Sequence, residues 1–409
     1  MIVDKIDFSN LFSKIESFLI ISFGENIYNK IKRPLIKNFN QLTNANLSIY
    51  QANMKALEFR EQNYSDLTVY SHLELKARKS GEQRVKTKIK INKLINKIYP
   101  TAKLYLQRSE NWTTDDIVYS IGEMIDRLII EEIKKTDYLT RIQNADILER
   151  RNLKKKIQLS RKWSREVEYF LKLKLKEINK KGYYECLKET RTYNLKRDKQ
   201  QVVILDRVNF SSLYSKITKL FFENFPVKKL MKIKIKLQKE IKILARANFR
   251  CYQANMKIIE LRKNREKDPK GYSGLDLLVR VVGEQRVQAK SKINAFIHEL
   301  YYHKQNKLIH MKNWASNDIV YSVGDMIDRL TIEFIKMSNY KIQLKNAKSD
   351  ADIHKFKAKI SLTQEWTKRL EEYLQWKLKE INEKSFYDYV EETRTYNVSK
   401  IKKDFVKKL

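Results

Sequence analysis

The chain has 409 residues, with 85 Lys and Arg against 49 Asp and Glu, a formal net charge of +36 and 42% hydrophobic residues. That much apolar material excludes a disordered polycation. Eight Gly and four Pro in the whole chain leave too few turn residues for a β-sandwich or a doubly wound α/β domain, so the expected class is all-α.

The first predicted element, Phe8–Phe23, is fairly apolar and has a counterpart at Phe210–Phe225. A signal peptide has no reason to recur inside a chain, so both are expected to be core helices. The next helix carries Leu42, Ile49 and Ala56 on one face, and Asn46, Asn53 and Arg60 share that face at spacings of seven. A third helix follows from Ile91, Leu94, Ile95 and Ile98 at i, i+3, i+4, i+7, with Arg84 on the same stripe and Lys88 beside it. A fourth follows from Ile117, Ile121, Met124, Ile125 and Leu128, with Thr113, Thr114 and Asp115 as expected caps. Its polar stripe is Asp116, Ser120, Glu123, Arg127, Glu131 and Lys134, with Asp126 at the margin of the apolar face. The last, Asn152–Lys181, is Lys-rich and should turn Trp163, Phe170 and Leu171 inward.

The whole series then returns. Tyr50-Gln-Ala-Asn-Met-Lys55 recurs at Tyr252–Lys257 and Gly81-Glu-Gln-Arg-Val85 at Gly283–Val287, each 202 residues on. Trp163 matches Trp366 at a shift of 203, as does Glu189-Thr-Arg-Thr-Tyr-Asn194 the hexapeptide Glu392–Asn397. Two domain-sized copies point to a tandem pair rather than a solenoid. The expected organisation is residues 1–195 as copy one, 196–209 as a basic and apolar connector, 210–398 as copy two and 399–409 as a basic tail. Each copy should be a bundle of five or six helices.

The polar residues on apolar faces are the candidates for chemistry. Asn53, Arg60, Arg84, Lys88, Glu123, Asp126 and Arg127 have counterparts Asn255, Arg262, Arg286, Lys290, Asp325, Asp328 and Arg329, and only Glu123 to Asp325 changes type. One explanation is a buried ion-pair network in which Arg84 and Arg60 neutralise Asp126 and Glu123 and Asn53 fills the remaining hydrogen bonds. The other is a pocket between helices where the arginines hold a phosphate or sugar nucleotide and Glu123 or Asp126 acts as acid or base. Arg191 and Arg394, in the hexapeptide closing each copy, either dock the last segment or complete that pocket.

No phosphate-binding glycine loop, nucleophile motif or zinc spacing occurs, so neither a metal nor a cofactor is expected. Two cysteines, Cys186 and Cys251, suit a cytoplasmic or other reducing compartment rather than secretion. No apolar run is long enough for a transmembrane segment.

The run Ile125-Asp126-Arg127-Leu128-Ile129-Ile130 with Lys134 resembles the "IDRLSI…K" signature of a bacterial domain family of unknown function. Its members are small all-helical proteins often encoded near glycan-biosynthesis genes. The likeness extends to the basic helix Arg84–Tyr99 and to Leu187–Asn194, similar to the family's "YRQFKMYND" ending, and it implies a helical fold and singles out Asp126, Arg127, Asp328 and Arg329. The signature Ser is Ile129 here and Thr331 in copy two.

Charge carries the functional expectation. Lys154, Lys155, Lys156, Lys172, Lys174 and Lys176, and Lys228, Lys229, Lys232, Lys234 and Lys236, alternate with apolar residues as in helices that bury one side and show a basic face. The expected function is non-catalytic binding to RNA or DNA backbone within a nucleoprotein assembly, with other proteins as further partners. The alternative is an enzyme, or an enzyme relic, acting on a phosphorylated or sugar-nucleotide substrate.

Overall fold

A computed structural model describes residues 3–61, 67–98, 120–182, 184, 204–263, 269–301 and 322–387. These residues form ten α-helices and no strand. They divide into two compact units. The first contains α1 (Ser9–Phe23), α2 (Glu25–Glu61), α3 (Leu67–Lys97), α4 (Ile121–Ile142) and α5 (Ile147–Lys181). The second contains α6 (Ser211–Asn224), α7 (Val227–Lys263), α8 (Pro269–Glu299), α9 (Val323–Lys345) and α10 (Asp350–Lys384). The all-α expectation holds, with five helices described in each unit.

In the first unit α2 and α3 form one long antiparallel hairpin and α4 and α5 another. Amphipathic helices of this length gain most of their stability from packing an apolar face. Here α4 is the element that both hairpins share, because it packs on α2 and α3 as well as on α5, while α1 closes the bundle against α5 and α2. Met124, Ile125, Leu128 and Ile129 of α4 are accordingly buried, as are Leu42, Ile91, Ile95, Val167 and Leu171 of the helices around it. In the second unit α9 takes the same place between α7, α8 and α10, with α6 against α10 and α7. Trp163, Phe170 and Leu171 face inward, as do Trp366, Leu370 and Leu374.

One expected boundary moves. Residues 113–119 lie outside the described residues, but α4 begins at Ile121, not beside Thr113. Ser120, in extended backbone at φ −75° and ψ 156°, caps α4 by accepting from the Glu123 amide. Ser322 does the same for α9 through the Asp325 amide. The signal was legible as a serine followed three residues later by an acid. Asp116 and Asp318 lie outside the described residues. The end of the expected connector is already docked in the second unit: Leu205 is buried, and Gln253 Nε2 donates to its carbonyl at 2.9 Å.

Candidate functional site

Asp126 stands on α4 at the point where α2 and α3 converge, and its carboxylate is 1% exposed. A lone carboxylate so placed would cost several kcal/mol or take up a proton, and three helices supply what prevents this. Arg84 of α3 meets it side-on, Nε at 2.8 Å from Oδ1 and Nη2 at 2.6 Å from Oδ2. Asn46 of α2 donates to Oδ1 at 2.8 Å, and Lys88 Nζ lies 3.9 Å from Oδ2. Burial pushes the carboxyl up, but Arg84, Lys88 and Asn46 together outweigh it and hold Asp126 below the usual carboxylate range.

The second unit repeats the node. Arg286 reaches Asp328 through Nε at 3.2 Å and Nη2 at 2.7 Å, and Asn248 donates at 2.8 Å. Asp328 is likewise held low against its burial by Arg286, Lys290 and Asn248. Two details differ. Lys290 bonds Asp325 at 2.8 Å, and Thr331, where the first unit has Ile129, lends its hydroxyl to the Asp328 carbonyl at 2.7 Å.

Next to the node the first turn of α4 lies directly on α3. A Cβ on Gly122 would come within 2.5 Å of the Lys88 carbonyl oxygen, so only glycine fits. Its amide donates to Asn92 Oδ1 at 2.7 Å, while Tyr184 OH accepts from the Ile121 amide at 2.9 Å and donates to the same Asn92 oxygen at 3.1 Å. Two of the helix's unpaired amides are thereby satisfied by buried side chains. Gly324, Asn294, Val323 and Tyr387 reproduce the arrangement. The sequence reading missed Asn92, Gly122, Tyr184 and their counterparts; a glycine kept inside an apolar helix at both 122 and 324 was the available sign.

The remaining candidates spread around the node. Glu123, Arg127, Asp325 and Arg329 are half-buried. Arg127 lies with its guanidinium carbon 5.9 Å from the Trp163 ring centroid. Asn53 is half-buried, and Asn255 donates to the Cys251 carbonyl one turn back on its own helix at 2.7 Å. Arg60 and Arg262 fall in the last turn of α2 and α7, where their side chains lie outside the described residues, as do Arg191 and Arg394 entirely. Among the described residues no group of His, Cys, Asp or Glu could hold a metal ion, and no helix is long and apolar enough to cross a membrane.

The lysine runs resolve into two helix faces. On α5, with 13 basic residues against four acidic, Lys154, Lys155, Lys172 and Lys176 are exposed together with Arg151, Arg161 and Arg165. Lys156 is half-buried, its ammonium 5.6 Å from the Tyr138 ring centroid. Lys174 is corrected: it is 1% exposed, on the inward side of α5 between Leu171 and Leu175, and cannot reach a phosphate from there. On α7, Lys228, Lys232 and Lys236 are exposed, whereas Lys229 and Lys234 are half-buried against the rings of Tyr301 and Phe222. The two basic helices are not counterparts of one another; α10, which corresponds to α5, has eight basic and seven acidic residues.

No protein-family model matches the chain, and neither a curated protein nor a solved structure is detectably similar to it.

Proposed function

We propose that the protein is a tandemly duplicated helical scaffold that binds nucleic-acid backbone without catalysis, as part of a nucleoprotein assembly, through the solvent face of α5. The observation that carries this is that face itself: Arg151, Lys154, Lys155, Arg161, Arg165, Lys172 and Lys176 are exposed along a helix about 50 Å long. Of the four carboxylates of α5, none is fully exposed, and Glu168 is held by Lys14 at 2.8 Å. Arginines suit bidentate phosphate contacts, and Tyr169, half in solvent on the same helix, offers a ring on which a base can stack.

The Asp126 and Asp328 nodes support the scaffold half of the reading. Their oxygens are taken up by an arginine and an asparagine in each unit, which suits a brace between helices better than a general acid. The repeated sequence and the repeated node together support the duplication, and the likeness of Ile125–Ile130 to the bacterial helical family adds a shared scaffold but no activity.

The test is fluorescence anisotropy with single-stranded and duplex RNA and DNA over a salt series. Affinity should fall about 10³-fold between about 50 and about 200 mM salt with little dependence on sequence. A variant with Lys155, Arg161 and Arg165 changed to Gln should bind more weakly and show a shallower salt slope. Absence of binding at about 50 mM salt removes the proposal.

A further inference from the structure

The outward face of α7 is not simply a second phosphate lane. Val227, Met231 and Ile235 stand at i, i+4, i+8 on the crest of the helix and are 58%, 56% and 81% exposed. Lys228, Lys232, Lys236, Lys239 and Lys242 flank and extend this stripe, all exposed. The only carboxylate between Val227 and Arg250 is Glu240, which is buried and paired with Lys292 at 3.2 Å. The outward face is therefore cationic and aliphatic with no acid in it. Isoleucine and methionine gain nothing from a phosphate chain, and they lack a ring to stack on a base.

The equivalent positions of the first unit, 202 residues earlier, are Glu25, Asn29 and Arg33, all exposed. The same helix in the same bundle thus folds with polar residues there, so packing within the unit does not require the aliphatic ones. The stripe lies on the crest of a single helix with lysines beside it, an arrangement that lies flat on a membrane plane.

We propose that α7 docks on an anionic membrane surface, with Val227, Met231 and Ile235 entering the acyl boundary and the surrounding lysines reaching lipid phosphates. Lysine stems extend along apolar surface while the ammonium stays at headgroup level, so one face can serve both layers. Charge complementarity sets the lipid class: each exposed lysine is attracted to an anionic leaflet and indifferent to a zwitterionic one. This contact is independent of the nucleic-acid reading, which rests on α5 in the other unit.

The experiment is vesicle flotation of the full chain, free of nucleic acid, with about 30 mol% phosphatidylserine in phosphatidylcholine and with phosphatidylcholine alone. The protein should float with the anionic vesicles only. Replacing Met231 and Ile235 by Ser, both exposed and so harmless to the core, should lower partitioning about tenfold or more while leaving nucleic-acid affinity unchanged. The Lys155, Arg161 and Arg165 to Gln variant should do the reverse, which separates failure of this inference from failure of the other. Absence of flotation at low salt overturns it. So does flotation that the double serine variant leaves intact, since that is adsorption by charge alone. Loss of nucleic-acid binding in the serine variant without any vesicle association also overturns it, and assigns α7 to the nucleic acid.

Discussion

Asp126 and Asp137 project from the same helix three turns apart, and their carboxyls are displaced in opposite directions. Asp126 is braced by a guanidinium and lies low. Asp137 accepts from Tyr50 OH at 2.6 Å and has Arg141 at 3.6 Å and Lys156 for charge, but burial outweighs them and its pKa is raised. The consequences for stability have opposite sign. The contribution of Asp126 is present above the ordinary carboxylate value and is lost as pH falls through its depressed one. Asp137 binds its proton more tightly folded than unfolded, so its contribution is complete below the unfolded value and is lost as pH rises through the raised one. The second unit has Asn339 at this position, beside Tyr252. Asp137→Asn should therefore raise the urea midpoint at pH 7, with an advantage that shrinks on acidification and vanishes below about pH 4. An advantage that persists unchanged in acid would show that the Asp137 carboxyl titrates alike in the folded and the unfolded chain.

At the scale of the elements, helix periodicity was enough to find the apolar faces, and it placed Trp163, Ile91 and Leu128 correctly inside. The polar residues on those faces were also visible, because each violates the pattern at a fixed spacing. Which of them meet was not visible. Arg60 and Arg84 were equivalent in the sequence as partners for Asp126; the crossing of α3 and α4 is what brings Arg84 to it. The start of α4 was misplaced because Ile117 continues the 3.6-residue period without a break, while the cap that starts the helix is a local hydrogen bond with no periodicity. The glycine beside that cap supplies the test. Gly122→Ala should destabilise the first unit by about 1–3 kcal/mol, because the Lys88 carbonyl must withdraw to admit a methyl group. An exposed glycine inside a helix would instead gain about 0.5–1 kcal/mol from the same change, so the sign of the shift in thermal midpoint decides whether the close approach exists.

For the whole molecule the question is whether each unit stands on its own node. Arg84→Ala leaves Asp126 buried with the Asn46 amide and, at 3.9 Å, Lys88 as its remaining partners, and should cost about 3 kcal/mol. Arg286→Ala should cost a similar amount in the second unit. Hydrogen exchange locates the loss: with Arg84→Ala, protection should fall in α1–α5 and persist in α6–α10, and with Arg286→Ala the reverse. A fall in both units from either change would mean that the chain unfolds as one cooperative body. The charge of +36 acts at this scale too, and it was legible only as a total. That it gathers on α5 in one unit and α7 in the other, while Lys174 and Lys377 are buried, depends on which side of each helix faces the core.

Each unit presents the same lock, an aspartate on its central helix, and the same key, an arginine on its long hairpin. An unfolded chain therefore holds two keys that fit either lock. On the ribosome the ambiguity does not arise, because the first key meets the first lock before the second pair has been made. After dilution from denaturant all four are present at once, and crossed pairings between the halves compete with the native ones. Refolding from denaturant should therefore be slower than folding during synthesis.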